Sequence, residues 1–381
     1  MKEVLEKSKC TGCTACYNSC PKQAIKMVID NEGFKRPAID TDKCVDCKKC
    51  QKVCPVINSE ENKGNINCYV AYSKQKLIKE SSSSGGIFDI IARKILRNNG
   101  IVIGAMFDEN MNLNHMAIEN ENELDKLKGS KYLQSNLNDI FKYVKENIED
   151  RQILFVGTPC QTAGLQFYLK KEYNNLYLID LVCHGVPSPK LFEKYVKAIE
   201  ERNNSKVMGY NFRDKKTGWE TYSNTVTLQN GRKISTLQTD NPYMRIFLKD
   251  VALRESCYTC NFKVGNKYSD ITLGDFWGVK QCYPEMYNVS GVSAVIVNTL
   301  KGQELFDSIE KKLIYKKCNL EEIIKGNPSL KYSGKLSSKR KRFFEDIDKY
   351  TIEELSEKYG KSSLKVCIKR KIKAILKKIF K

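Results

Sequence analysis

Two cysteine runs constrain the start of this chain more than any other feature in it. KCTGCTACYNSCP sets Cys10, Cys13, Cys16 and Cys20 in the pattern C-x2-C-x2-C-x3-C-P, and DKCVDCKKCQKVCP repeats it at Cys44, Cys47, Cys50 and Cys54. A loop with that spacing wraps three thiolates around one face of a cubane 4Fe-4S cluster, while the cysteine before proline reaches a second cluster. The ligation is therefore expected to cross: Cys10, Cys13 and Cys16 with Cys54, and Cys44, Cys47 and Cys50 with Cys20. Zinc sites usually take two separated C-x2-C pairs, and a disulfide scaffold needs an oxidising compartment. Neither calls for three evenly spaced cysteines followed by Cys-Pro.

On these residues the segment 1–60 resembles a bacterial two-cluster ferredoxin domain, with AIKMVIDNEGFKRPAID as the hairpin between the runs. Such a domain passes single electrons and transforms nothing, so the rest of the chain is expected to use them. With 381 residues, 41% of them apolar, there is room for further domains and a real core. MKEVLEKSKC lacks the apolar stretch of a signal peptide, and runs such as IVIGAMF are too short to span a bilayer. A cytoplasmic location is expected, where clustered thiols stay reduced.

The polar stretch Asn58 to Asn67 reads as a linker. CYVAYSK then reads as a strand, and Ile87, Ile90, Ile91 and Ile95 fall at helical spacing before Asn98-Asn99-Gly100 stops the helix and IVIGAMF forms a buried strand. SSSSGG at the entry to that helix is either a plain loop or a cradle in which backbone N–H groups receive a phosphate. There is no G-x-G-x-x-G, so a Rossmann dinucleotide site is not supported. LKGSKYLQSN reads as a surface loop.

Two single cysteines sit after apolar runs: Cys160 after ILFVG, and Cys183 after LYLIDLV. A C-x2-C pair, Cys257 and Cys260, precedes SDITLGDFWG. Four thiols suit either a third cubane or a zinc ion, and their count does not choose between them. A nucleophilic cysteine is the competing reading, since one of only two histidines, His184, follows Cys183 directly. Phe276 and Trp277 read as core packing, and Cys68, Cys282, Cys318 and Cys367 show no partner pattern.

GTPCQ, DLVCHGVPSP, NFRDKKTGW, CYTCNFK with DITLGDFWG, and the earlier SSSSGG and GSKYLQS together resemble the beta-subunit family of coenzyme F-420 hydrogenases and dehydrogenases, to which the plant 7-hydroxymethyl chlorophyll a reductase is related. The resemblance spans about residues 1 to 300. It implies an α+β fold: an N-terminal ferredoxin-like two-cluster domain (1–60), then a larger mixed α/β flavin-binding domain in two parts (61–150 and 151–330), and last a basic tail with an amphipathic helix (331–381). It further implies a third 4Fe-4S cluster on Cys160, Cys183, Cys257 and Cys260 beside FAD. Thr158, Pro159 and Gln161 would lie along the cofactor, Ser84, Gly85 and Gly86 at its phosphates, and Ser130, Lys131, Tyr132 and Ser135 in the flavin pocket. His184, Lys131 and Asp275 are the expected catalytic groups. The activity implied is flavin-dependent reduction of a deazaflavin coenzyme or another organic small molecule, with surface-polysaccharide metabolism as one setting. The alternative is an electron-transfer subunit feeding a separate enzyme.

Formal net charge is +20, though ligating thiolates lower it. Nine Lys or Arg and no acid lie between Lys361 and Lys381. Leu364, Ile368, Ile372, Ile375, Leu376 and Ile379 share one helical face there, the pattern of an interfacial helix on anionic lipid. Peripheral contact with the inner face of the membrane is one expected use of this charge. Steering of an acidic redox partner is another, whether ferredoxin, flavodoxin or a hydrogenase or dehydrogenase subunit. No motif supports nucleic-acid binding.

Overall fold

The computed structural model describes residues 1, 3–60, 67–265 and 267–361. The centre of the expected linker, the amphipathic helix after Lys361 and Cys367 lie outside the described residues. In the first sixty residues the strands β1 (Ile25–Ile29) and β2 (Lys35–Ile39) form the expected hairpin, with Ile25 opposite Ile39. Asp30 closes its turn by accepting the N–H groups of Glu32 and Phe34 and the Arg36 guanidinium. Each cysteine run ends in a short helix, Ala15–Ser19 or Lys49–Lys52, entered through a left-handed residue, Thr14 (φ 61°) or Lys48 (φ 58°). The duplication in sequence is thus a duplication in backbone.

Eight strands make one sheet: β3 (Asn67–Ser73), β4 (Ile101–Phe107), β5 (Leu113–Ile118), β6 (Ile153–Gly157), β7 (Leu176–Leu181), then, past three strands of a smaller sheet, β11 (Ile271–Asp275), β12 (Ser293–Val297) and β13 (Leu313–Cys318). Their order is β13-β3-β12-β11-β7-β6-β4-β5. The centre, β4-β6-β7-β11, is parallel, and the flanking pairs are antiparallel. Parallel strands buried on both faces read as unbroken apolar runs, as ILFVG does. Residues 61–150 and 151–330 therefore complete one another in a single sheet.

Helix Ile87–Arg97 buries Ile87, Ile90, Ile91 and Ile95, as its spacing predicts. Helix Pro159–Leu169 has no clear polar face because it is covered on both sides, by the sheet and by the N-terminal domain, whose Cys13, Ala15 and Val53 join the same apolar cluster. Gly164 is required there: a Cβ on it would come within 2.9 Å of the Cys13 Cβ.

The smaller sheet, β8 (Val207–Asp214), β9 (Ser223–Leu228) and β10 (Lys233–Leu237), packs on a second core with helices Pro189–Asn203 and Pro242–Phe247. The expected tail boundary at 331 is too early. Helices Arg340–Asp346 and Ile352–Tyr359 insert Phe343, Leu355 and Tyr359 into this core, each large apolar side chain contributing about 1.5–3 kcal/mol on full burial. Arg340, part of the basic SSKRKR run, is itself buried and holds both carboxylate oxygens of Glu32 in the β1–β2 turn, at 2.8 and 2.5 Å. No helix among the described residues is long and apolar enough to cross a membrane.

Candidate redox site

Three cavities are each lined by four cysteines. One gathers Cys10, Cys13, Cys16 and Cys54; a second gathers Cys20, Cys44, Cys47 and Cys50. These are the crossed sets that the spacing predicts. The third gathers Cys160, Cys183, Cys257 and Cys260. No group of three or more His, Cys, Asp or Glu among the described residues is drawn together as a site for a metal ion. A 4Fe-4S cubane takes four cysteine thiolates, the number each cavity offers.

The donor chemistry fits such a core. Burial first, then the neighbouring thiols, push Cys13 up to about 12 and raise Cys16 and Cys54. Burial likewise raises Cys160 and Cys183 and pushes Cys257 up to about 12. Bare, these side chains resist ionisation, and the neighbouring backbone N–H groups of Ala15, Gly185 and Val186 lower Cys13, Cys183 and Cys257 by less than burial raises them.

Topology explains how distant segments meet. β6 and β7 are adjacent and parallel, so Cys160, three residues beyond β6, and Cys183, two beyond β7, emerge at the same carboxyl edge of the sheet. That edge is where open α/β sheets hold their ligands. Cys257 lies in the turn Glu255–Thr259, which closes over the edge with Cys260.

Thr158, Pro159, Gln161, Ser135 and His184 line the third cavity with the cysteines. Thr158 caps helix Pro159–Leu169 and its Oγ1 lies 3.3 Å from the Cys160 Sγ. Gln161 accepts from the Thr158 N–H and donates to the Ser135 hydroxyl, which meets His115 Nδ1 at 2.8 Å. His115 Nε2 lies 3.0 Å from the Val156 carbonyl. A carbonyl only accepts, so Nε2 carries the proton and Ser135 donates to Nδ1. Burial holds this imidazole neutral, with its pKa lowered to about 4.

His184 lies on the cavity wall, its Nε2 2.5 Å from Asp250 and its Nδ1 3.3 Å from Ser329. The other expected catalytic groups do not line it. Lys131 turns its ammonium onto the carbonyls of Lys126, Leu127 and Lys128, and burial draws its pKa down to about 7. Asp275 holds Arg213 through both oxygens (2.5 and 3.2 Å) and accepts from Trp219 Nε1 at 2.7 Å. Trp219 stacks on Trp277 with centroids 4.9 Å apart, while Phe276 is fully buried.

Ser84, Gly85 and Gly86 do not line the cavity of the four cysteines. Gly85 passes so close to β3 that a Cβ would sit 2.5 Å from the Ala71 carbonyl, and Gly86 (φ +88°) starts helix Ile87–Arg97. The Ser130 N–H donates to Ser83 at 2.7 Å, so this loop and the Lys128–Ser135 loop touch. Tyr132 stacks on Phe247 and edges onto Phe212.

Residues 9–58 match the family model described as "4Fe-4S dicluster domain". Residues 150–323 match the model for the C terminus of the coenzyme F420 hydrogenase/dehydrogenase beta subunit. The chain joins a dicluster domain to a coenzyme F420 hydrogenase/dehydrogenase beta-subunit domain. It is thus an iron–sulfur protein related to hydrogenase and dehydrogenase beta subunits. Among solved structures, a chain of the F420-reducing [NiFe] hydrogenase complex from Methanosarcina barkeri is similar at 17% identity, covering 70% of this chain and 91% of that one, with a TM-score of 0.47, a likeness too loose to bear on function. No curated protein matches the sequence.

The dicluster domain is joined to the beta-subunit domain through a buried cation. Arg254 donates to the Cys10 carbonyl (2.9 Å), the Lys35 carbonyl (2.8 Å) and Gln134 Oε1 (2.9 Å), and lies over the Phe34 ring. Ser256, next to Cys257, also donates to the Cys10 carbonyl at 3.1 Å. The Cys10 loop and the Cys257 turn therefore share a wall. Sequence reasoning passes over Arg254, Arg340 and His115, because nothing local distinguishes them from surface residues. The motif NFRDKKTGW likewise gives no role to Arg213 or Trp219, the two of its side chains that converge on Asp275.

Proposed function

We propose that the protein is an iron–sulfur flavoprotein oxidoreductase in which Cys160, Cys183, Cys257 and Cys260 hold a third 4Fe-4S cluster and FAD binds beside them. Clusters exchange single electrons and a flavin exchanges two or a hydride, so together they couple the two regimes. The observation carrying this reading is the convergence of four thiols from three chain segments on one cavity, with the Cys10 loop fixed against its wall by Arg254 and Ser256.

The chain's own residues have definable tasks. The neutral His115 fixes Ser135, which fixes Gln161, which fixes Thr158 against the Cys160 sulfur. His184 is the imidazole at the cavity, oriented by Asp250, and is suited to move a proton at its wall. Thr158, Pro159, Gln161 and Ser135 offer a flavin a wall beside the thiols. Its diphosphate we assign to the loop Ser81–Gly86 with Ser130, where Ser81 to Ser84 are at least partly exposed while Gly85 and Gly86 are buried. The substrate is an organic acceptor of two electrons, a deazaflavin being one. Anaerobic purification followed by iron, sulfide and flavin assay tests the proposal: about twelve irons and one FAD per chain are expected, and eight irons without flavin overturns it. Substrate-dependent reoxidation of the reduced chain then separates an enzyme from a carrier subunit.

A further inference from the structure

The two cysteine sets of the dicluster domain are not equivalent. The cavity of Cys10, Cys13, Cys16 and Cys54 is lined otherwise by apolar and small polar residues such as Leu5, Met27, Pro37 and Val56, and no charged side chain reaches it. It is turned inward, with Cys13 against Gly164 and the Cys10 carbonyl under Arg254. The cavity of Cys20, Cys44, Cys47 and Cys50 is turned outward. Cys47 is exposed, Lys22, Lys48 and Lys49 line the cavity with the thiols, and no carboxylate does. Val45, also on its rim, is 60% exposed. Lys43 and Lys52 are exposed close by. Of the acids in the same loop, Asp40 is matched to Lys43 at 3.6 Å and Asp46 to the ammonium of Met1, a residue of the cavity wall, at 3.9 Å, while Asp42 does not line the cavity.

We infer that this face is a docking surface for a small acidic one-electron carrier of the ferredoxin kind, with Lys22, Lys48 and Lys49 as its charged collar and Val45 as its apolar centre. The inference rests on the redox reading above and adds where electrons enter: at the outer cysteine set, with the inner set relaying them toward the beta-subunit domain. Charge complementarity selects the partner, because three lysines lining the outer cysteine cavity, with no carboxylate among the lining residues and the neighbouring Asp40 and Asp46 each matched to a cation, attract a carrier whose own centre is ringed by carboxylates. The apolar centre lets the two surfaces close and exclude water once steering has brought them together.

The test uses the full chain, anaerobically reconstituted, and a chemically reduced acidic ferredoxin as the probe. Stopped-flow reduction of the clusters is followed at several salt concentrations. Lys22→Gln, Lys48→Gln and Lys49→Gln combined should lower the second-order rate constant about tenfold or more at low salt and flatten its salt dependence. Reduction by a small neutral photoreductant, and the cluster EPR signals, should be unchanged. A control, Lys339→Gln with Lys341→Gln, removes exposed charge elsewhere and should leave the rate unaltered. An unimpaired collar variant, an equal loss in the control, or electron delivery by flavodoxin but not by ferredoxin overturns the docking inference while leaving the oxidoreductase reading intact. A parent protein without reducible clusters overturns both.

Discussion

Replacing Arg254 with methionine should loosen the dicluster domain from the beta-subunit domain without touching a single cysteine. Arg254 is 1% exposed, and three of its donors are committed to the Cys10 carbonyl, the Lys35 carbonyl and Gln134. Methionine keeps much of the length and the apolar contact with Phe34 but donates nothing. The Cys10 carbonyl retains the Ser256 hydroxyl, so two acceptors lose the donor they have now. At about 1–3 kcal/mol for each acceptor left unsatisfied when fully buried, and with both of these bonds part-buried, the loss is at most about 2–6 kcal/mol. The guanidinium's own desolvation, which methionine avoids, brings it to about 3 kcal/mol. Since each 1.4 kcal/mol is about tenfold, local opening should become about 100-fold more frequent. Hydrogen exchange read by mass spectrometry reports this directly: amides from Thr11 to Cys20 should lose about two decades of protection, while those of β12 stay as they were. Arg254→Lys, with one donor point in place of a fork, should fall between. Unchanged protection of Thr11–Cys20 in Arg254→Met refutes the idea that this cation ties the domains together.

Other expectations follow from the same contacts. Cys160→Ser should remove about four irons and leave the eight of the dicluster domain, measured as iron per chain; an unchanged count sinks the ligand assignment. Asp275→Asn strands the buried Arg213 cation, which Asp275 keeps firmly charged despite its burial. It should cost about 3–5 kcal/mol, seen as a lowered thermal midpoint, and a stable variant lacking only activity would instead mark Asp275 as a catalytic group. His115 has a folded pKa of about 4 against 6.5 unfolded, so between these values only the unfolded chain takes up the proton. Stability should therefore fall as pH drops from 6.5 to 4, by on the order of 3 kcal/mol from this group. In His115→Gln that part of the slope should vanish from denaturation midpoints, and an unaltered slope would show that His115 does not carry it.

How much of this was legible depends on how local each signal is. Cys10 to Cys20 and Cys44 to Cys54 are ligand loops whose chemistry lies within a dozen residues, and the matched left-handed entries at Thr14 and Lys48 repeat with them. Helix Ile87–Arg97 and the strands ILFVG and LYLIDL were legible for a similar reason, since periodicity and unbroken apolar runs report burial directly. The helix beginning at Pro159 gave no such signal: covered on both sides, it has no polar face to set its period. Residues 340–359 misled because a basic run reads as solvated surface, and only the fold pairs Arg340 with Glu32 across 308 residues. Cys68 and Cys318, without a pattern in sequence, turn out to sit opposite one another on β3 and β13.

The sequence by itself determined the chemistry available to this protein: two interleaved sulfur sets, a further four thiols, and strands apolar enough to bury a sheet. It could do so because ligand spacing and hydrophobic pattern are properties of neighbouring residues. Which distant residues meet was decided by tertiary structure alone. Cys160 and Cys183 become neighbours through the parallel pairing of β6 with β7, the turn bearing Cys257 and Cys260 closes over that edge, and Arg254 bridges to the Cys10 loop. The physical reason is that strand order and the satisfaction of buried charges are settled by the whole chain at once, through contacts between segments that carry no mark of one another in sequence.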